Sequence, residues 1–418
     1  MHNEALRRAS LVLIGLLLSA HSGVCAHPID VLQRFDDPRQ PPTWRALSMN
    51  DLATFELGQA IFNSQWLAAG APRAERRDGL GPVFNAASCD SCHNNGGRAT
   101  APSDDGRLPI GFVMQLGMAN GGAIPLGDVL NPAAIEGYSA EGQIVLSYRA
   151  RDVRYPDGSQ VEVREPHYQL HGPRVSALPA RTLLKPRMAS PLFGTGLLDA
   201  VPASAFGPDQ ASPGRFGWQA GTRSVRDQTA KAFSREMGLH STEYPLDDCG
   251  DDATCAAAPE GGEPEVSEDF LHAVTLFQSL LAVPKAEPLD AESEAQGASL
   301  FARTGCANCH APSLPVEGID GLSRIAAYTD LRRHDLGDGL ADRRMDGTVV
   351  DSLWRTAPLW GIAHLPRGGH FGLLHDGRAR SVEEAILWHA GEADAARVTF
   401  MALPKAQRKR LLDWILRR

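Results

Sequence analysis

Aromatic side chains are scarce: Phe, Tyr and Trp make up 6% of the 418 residues. That is little to fill two domain interiors, and it suggests that something other than large aromatics occupies part of the inside. Positive charge is not in excess either. The formal net charge of −9 excludes a general basic field for nucleic acid, and no basic recognition motif occurs. No apolar run reaches the ~20 residues that a membrane-spanning helix needs. With 43% hydrophobic and 22% charged residues, 41 Gly and 29 Pro, the composition also excludes collagen-like, low-complexity and disordered classes. The length suits two packed domains.

The amino terminus does not read as fold. Arg7 and Arg8 precede the apolar run Leu11 to Leu18, and small residues lead to Val24-Cys25-Ala26. This is the pattern of an export signal, residues 1–26, cleaved near Ala26. Val24 is too bulky to precede a lipoprotein cysteine, so Cys25 is not read as an anchor. The expected product is an exported periplasmic protein with no transmembrane span.

Cysteine is rare too, and its placement is informative. Beyond Cys25, four of the six cysteines sit in two identical frames, Cys89-Asp-Ser-Cys92-His93 and Cys306-Ala-Asn-Cys309-His310. The remaining pair, Cys249 and Cys255, brackets a short acidic loop and reads as a local disulfide in an oxidising compartment. Cys-x-x-Cys-His is the c-type haem attachment signature: two sulfurs reach the two vinyl groups and the adjacent His rises to the iron. A shared four-cysteine zinc site, or two redox dithiols, is the competing reading. Neither accounts for a histidine after each frame. The reading is therefore two covalently attached c-type haems, with His93 and His310 as proximal ligands.

Residues 51–67 carry Leu52, Phe55, Ile61, Phe62 and Trp66 at helical spacing before the first frame. Gln143 to Tyr148 and Gln160 to Arg164 read as strands joined across the turn Pro156-Asp-Gly-Ser159. Residues 186–220, rich in Gly and Pro, imply long packed loops. A helix follows at 267–282, with Ser267 as cap and Pro284 beyond its end. Asp290 caps a helix over Ala291 to Ala302 that feeds the second frame. Ser381 and Glu384 form a capping-box pattern opening a helix through His389. A last helix at about 404–417 carries basic residues that read mainly as a solvated face favoured by the helix dipole. The fold class expected is mainly α, two cytochrome c-like haem domains with long loops and a small β-hairpin insertion in the N-terminal one. The expected boundaries are 27–283 for the N-terminal haem domain, 284–290 for a linker and 291–418 for the C-terminal cytochrome c domain.

Besides the frames, several stretches resemble the di-haem oxidoreductase family, which is related to bacterial di-haem cytochrome c peroxidases. They are Gly79-Leu-Gly-Pro-Val-Phe-Asn85, Pro186-Arg-Met-Ala-Ser-Pro191, Gly194-Thr-Gly-Leu-Leu198 and Gly214-Arg-Phe-Gly-Trp-Gln-Ala220. Later come Tyr328-Thr-Asp330, His334-Asp-Leu-Gly337, Trp354-Arg-Thr-Ala-Pro-Leu-Trp-Gly361, His375-Asp-Gly-Arg378 and Glu384-Ala-Ile-Leu-Trp-His-Ala-Gly-Glu392. They run in the family's order through nearly all of the mature chain.

The resemblance implies a distal ligand for the C-terminal haem from the helix after His-Asp-Gly-Arg, where this chain has His389 instead of the Met of many relatives. A histidine merely hydrogen-bonded at a helix end is the alternative. Leu336 stands where many relatives carry another Met. His375 and His334 read as propionate or backbone partners, and Arg355 and Arg378 as counter-charges for propionates. Peroxide heterolysis at the N-terminal haem needs an acid–base group. Glu162, Glu165, His167, Gln169 and His171 cluster on the second hairpin strand, with Glu165 first and His167 second choice, against a solvated strand as the alternative. Met188 and Met237 are candidate axial thioethers, against ordinary core packing. The resemblance also implies a bridging Trp, which must here be Trp218, Trp354 or Trp360, and a calcium ion between the haems, held by carbonyls around Thr356 to Pro358.

Three functions follow. The first is a periplasmic peroxidase: a cytochrome c or cupredoxin donates electrons to the C-terminal haem and the N-terminal haem reduces hydrogen peroxide. The second is an electron-transfer di-haem cytochrome. The third is an oxidase or maturation enzyme acting on a protein partner, which His389 in place of a distal Tyr disfavours. A thiol oxidoreductase has little to use beyond Cys249 and Cys255.

Overall fold

The computed structural model describes residues 42–72, 77–118, 121–206, 214–246, 248–365 and 370–418. The export signal at 1–26 lies outside the described residues. Among those described, no helix is long and apolar enough to cross a membrane.

Seven helices of at least seven residues are α1 (Met49–Asn63), α2 (Val225–Met237), α3 (Glu268–Leu280), α4 (Ala291–Thr304), α5 (Val382–Trp388), α6 (Asp394–Ala402) and α7 (Lys405–Ile415). Most begin where a short polar side chain satisfies a free backbone N–H. The side chains of Ser48, Ser224, Ser267, Asp290 and Ser381 each accept such a bond from the first turn. Glu384 departs from the capping-box geometry: its carboxylate takes N–H groups from Arg380 and Arg164, 2.8 Å each, rather than from the cap residue. In the N-terminal core α1 lies on α3, and Gly58 makes the approach possible, since a Cβ there would stand 2.0 Å from the Ala273 carbonyl oxygen. In the C-terminal core α4 crosses α7, with Trp414 lying over Gly297.

The strands described below are β1 (Phe112–Met118), β2 (Val129–Leu130), β3 (Gln143–Arg154), β4 (Gln160–His171), β5 (Thr182–Met188), β6 (Arg333–Asp335), β7 (Asp342–Arg344), β8 (Val349–Asp351) and β9 (Leu353–Arg355). Helix makes up 32% and strand 19% of the chain, so strand is far from confined to one hairpin. A five-stranded sheet, order β8-β7-β5-β1-β2, corrects the mainly α expectation and replaces part of the loop expected over 186–220. Two of its strands come from the C-terminal half: Arg343 pairs with Leu184 and Arg344 with Leu183.

The hairpin β3–β4 is longer than its sequence signal. It pairs Gln143 with His171 through to Arg154 with Gln160, and turns across Tyr155 to Ser159, where Gly158 has φ 85°. Its tip belongs to the other half. Tyr155 and Val163 are buried among Leu300, Trp354, Trp388 and Trp414. The Tyr155 hydroxyl donates to Glu383 at 2.7 Å, and Arg408 both stacks over the Tyr155 ring and pairs with Asp157 at 2.7 Å. No helix or named strand lies between α3 and α4, so the backbone link there is irregular.

Candidate haem-binding site

Both frames sit just beyond a packed helix or capped turn. In the first, Ser88 caps the short helix Cys89–Cys92 by accepting the Ser91 N–H at 3.3 Å, and Gln65 donates to the same hydroxyl. In the second, α4 ends at Gly305 in the left-handed region (φ 92°), which turns the chain at once into Cys306. Cys89, Cys92, Cys306 and Cys309 are free thiols. Burial pushes Cys89 and Cys92 up to about 12 and Cys306 up to about 11. Thiols held so far from ionising are poor redox nucleophiles, which weighs against a dithiol role. The remaining pair is bridged: Cys249 and Cys255 form a disulfide.

The two histidines that follow the frames differ in their surroundings. His310 is set with Nδ1 3.0 Å from the Tyr328 carbonyl, and burial lowers its pKa to about 4. The second contribution to that lowering is the neighbouring His389. His389 caps the end of α5, its Nδ1 2.7 Å from the Ala385 carbonyl, and burial lowers its pKa as well. A carbonyl can only accept, so each ring is neutral with the proton on Nδ1 and the lone pair on Nε2. A neutral imidazole protonated on Nδ1 is the form that can ligate a metal through Nε2. His93 has Nδ1 3.4 Å from the Gly97 carbonyl, burial lowers its pKa, and Asp90 is the charged side chain acting on it.

Further groups fit a buried anionic cofactor. Arg355 donates to the carbonyls of Gly217 and Thr356, and desolvation brings its pKa down to about 10. Arg98, five residues past His93, is likewise lowered to about 10; it bonds the Gly372 carbonyl, and its Nε has no partner. Neither has a carboxylate partner among the described residues, so each guanidinium matches a propionate. Arg98 escaped the sequence reading, where a single Arg past a frame carries no signal. Arg378 is spoken for: it pairs with the buried Asp376 at 2.8 Å, which also accepts from the Tyr168 hydroxyl.

The other sequence candidates divide. His334 lies between Asp330 (2.8 Å) and Glu392 (2.9 Å), bonds the Cys309 thiol as well, and is raised to about 11, mainly by Asp330. His375 is buried and stacks on Trp354, ring centres 3.9 Å apart and planes 10° apart. Its carbonyl accepts the Met188 N–H from β5, so Trp354 and His375 lie where the two halves meet. Trp218 donates to the Met188 carbonyl, and Trp360 packs beside Gly194. Met188 and Met237 are core residues, 1% and 3% exposed. The Thr356 carbonyl, a calcium candidate, accepts the Thr329 hydroxyl at 2.6 Å.

On β4 the hairpin candidates differ in burial. Arg164 and Tyr168 point inward, to Asp104 and Asp376, whereas Glu165 is half-buried on the other face and His167 is exposed. The side chains of Glu165 and His167 make no hydrogen bond among the described residues, and nothing brings them to His93. An acid that the sequence reading missed is Glu141. It is fully buried; its Oε2 accepts from Asn131 N at 2.8 Å and Nδ2 at 3.2 Å, and its Oε1 accepts no hydrogen bond. Burial raises its pKa to about 7. Asn131 in turn accepts from Asn85, four residues ahead of Cys89. No motif marks Glu141, which stands alone before Gly142.

The chain is similar to hydrazine synthase from Kuenenia stuttgartiensis (12% identity, TM-score 0.38, covering 99% of this chain and 100% of that one). It is also similar to a MauG-like protein associated with microbial copper homeostasis (15% identity, TM-score 0.37, covering 92% and 94%). No curated protein matches the sequence. A family model described as "di-haem oxidoreductase, putative peroxidase" matches residues 36–110 and 194–417, well over half of the chain and inclusive of both frames. The chain therefore belongs to the di-haem oxidoreductase family.

Proposed function

We propose that this di-haem oxidoreductase is an exported peroxidase that takes electrons from a small cytochrome c or cupredoxin at its C-terminal haem and reduces hydrogen peroxide at its N-terminal haem. A haem at each frame supplies a one-electron iron centre. Cys89, Cys92 and His93 would hold the first, and Cys306, Cys309 and His310 would hold the second. His389 would be a further ligand of the second, which would suit that haem to electron transfer. Arg98 and Arg355 neutralise propionates.

The observation that carries the reading is the asymmetry between the frames. His389 contributes to the lowered pKa of His310, while among the described residues Asp90 is the charged side chain that acts on His93. An axial position without a strong ligand is what a small oxidant requires. Glu141, rather than Glu165 or His167, takes the acid–base role: buried, with one oxygen that takes no hydrogen bond and lies 3.8 Å from the Arg174 guanidinium, and with a pKa raised to about 7, it suits moving a proton from one peroxide oxygen to the other. Trp354, stacked on His375 at the junction of the halves, is the aromatic placed to pass electrons between them.

Electron paramagnetic resonance on the half-reduced, haem-loaded protein tests this. One high-spin ferric signal, lost within the mixing time on adding hydrogen peroxide, is expected. Low-spin signals alone, unmoved by peroxide, would leave an electron carrier and overturn the reading.

A further inference from the structure

A groove of about 260 Å³ opens between α4 and α7. Ala295 and Leu300 give it an apolar lining, and Ser299, Gln407, Arg303 and Arg410 are its polar members. The two arginines set it apart. Four of the basic residues on and after α7 are paired: Arg408 with Asp157, Lys409 with Asp413, Arg417 with Glu287 and Arg418 with Glu294. Arg303 and Arg410 are exposed and make no hydrogen bond or ion pair among the described residues. Glu292, the acid one turn ahead of Gln296 on α4, is tied to the Gln296 amide at 2.7 Å. On a chain of formal net charge −9, two unpaired guanidinium groups facing one groove are a local reversal of sign.

The groove is close to the second frame. Arg303 is three residues ahead of Cys306, and Gly305 turns the chain directly from α4 into the frame. Leu300 belongs to the core that holds Phe301 and Trp414, and Cys306 and Tyr328 pack against that core. The Phe301 and Trp414 rings are 5.0 Å apart, and those of Trp414 and Tyr328 are 5.6 Å apart. The Tyr328 carbonyl in turn holds His310 Nδ1 at 3.0 Å. Packed atoms therefore connect the groove with the histidine of the second frame.

We propose that the groove between α4 and α7 is the docking point of the electron donor, and that this donor is a small redox protein presenting a cluster of carboxylates around its own redox centre. The inference rests on the reading that the C-terminal haem takes electrons from a protein donor, and adds where the donor docks and what charge it carries. Arg303 and Arg410 meet the carboxylates with their planar donor forks, and Ala295 and Leu300 supply the apolar contact between them. A small apolar centre with a charged rim suits a partner that must leave after each electron. The negative charge of the rest of the chain repels the same partner, so the groove also orients it. Each encounter moves one electron: the donor is oxidised by one and the C-terminal iron reduced by one, and no bond is made or broken.

Stopped-flow mixing of the oxidised, haem-loaded protein with a reduced acidic cupredoxin, and separately with a reduced basic cytochrome c, reads the first electron with no peroxide present. Arg303→Glu combined with Arg410→Glu is expected to lower the second-order rate constant for the acidic donor about tenfold or more at low salt, and not to lower that for the basic one. The gap between variant and wild type should close at about 1 M salt, where charges are screened within about 3 Å. Calorimetric titration with the oxidised acidic cupredoxin, in which no electron moves, should show binding weakened about tenfold. Arg303→Gln with Arg410→Gln should shift both readouts the same way by less, and it carries the test if the charge reversal fails to fold. Unchanged rate and affinity for the acidic donor, or a slowing shared by both donors that persists at high salt, would overturn the docking point. A wild-type protein reduced only by the basic cytochrome would overturn it too while leaving the donor reading intact; one reduced by neither protein would overturn both.

Discussion

Asp342→Ala is the substitution through which the joint between the two halves is best measured. Asp342 is fully buried on β7 and holds Arg187 of β5 by two parallel bonds, 2.8 and 2.7 Å. The Arg187 side chain is 5% exposed and lies over the Trp354 ring, 4.7 Å from its centre. Gln219 lies 3.0 Å from Arg187 and 3.1 Å from Asp342, and Arg187 also donates to the Pro186 carbonyl at 2.9 Å. Removing the carboxylate leaves a guanidinium in a dry site with two neutral acceptors, Gln219 and the Pro186 carbonyl, a loss of about 3–5 kcal/mol. Replacing both members, Arg187→Met with Asp342→Leu, removes the stranded charge and should recover most of it, so the cycle gives a coupling of about 2 kcal/mol or more. Guanidinium unfolding of the haem-loaded protein, followed by tryptophan fluorescence and by haem absorbance, reads the four proteins. A loss below about 1 kcal/mol in Asp342→Ala would mean that the pair is hydrated and that β7 does not pack on β5 as described.

His389→Ala should convert the C-terminal haem from low spin to high spin and leave the N-terminal haem unchanged, which resonance Raman spectroscopy resolves; unchanged spectra would assign the ligand elsewhere. Glu141 has a pKa raised by burial, so the folded state binds its proton more tightly than the unfolded one, and stability should fall as pH rises from about 4.5 to about 7, by about 3 kcal/mol from this group. Glu141→Gln should flatten that part of the stability curve, and an unchanged curve would refute the assignment. Arg355→Leu should leave the haem-free protein as stable as wild type or more so, because it removes a cation without a carboxylate partner, yet lower the melting temperature of the haem-loaded form. Equal effects on both forms, by calorimetry, would deny Arg355 its propionate.

What the sequence makes legible is what local chemistry decides. Ser267, Asp290 and Ser381 announce helices because a cap is settled within one turn, and the two frames announce themselves because three side chains must meet one cofactor edge. Phe112–Met118 and Thr182–Met188 are another matter. Met114, Leu116 and Val113 are all buried, so the segment shows little alternation, and its partners lie far along the chain. The hairpin was visible but its orientation was not. On β4 both Val163 and Arg164 are buried, so burial does not alternate cleanly; tertiary packing buries Arg164 and leaves Glu165 half-buried and His167 exposed. Glu141 was invisible for the same reason: its chemistry comes from desolvation, which no spacing encodes.

The way the halves are joined bears on how electrons could move between them. Domains linked by an irregular segment ordinarily shift against each other unless a large, apolar interface holds them. Here the irregular stretch before α4 is bypassed by three tertiary ties. β7 extends the N-terminal sheet, the β3–β4 tip buries Tyr155 and Val163 in the C-terminal core, and Arg164 donates to the Arg378 and Gly377 carbonyls beside the Trp354–His375 stack. Each tie buries polar groups that would be left unsatisfied if the halves parted, which penalises even small displacements. Transfer between two centres falls steeply with distance, so a joint of this kind fixes the rate by construction rather than by waiting for an encounter. That favours a device in which one half collects electrons and the other spends them, and it makes the asymmetry of the two frames, more than any motion between them, the feature on which the chemistry turns.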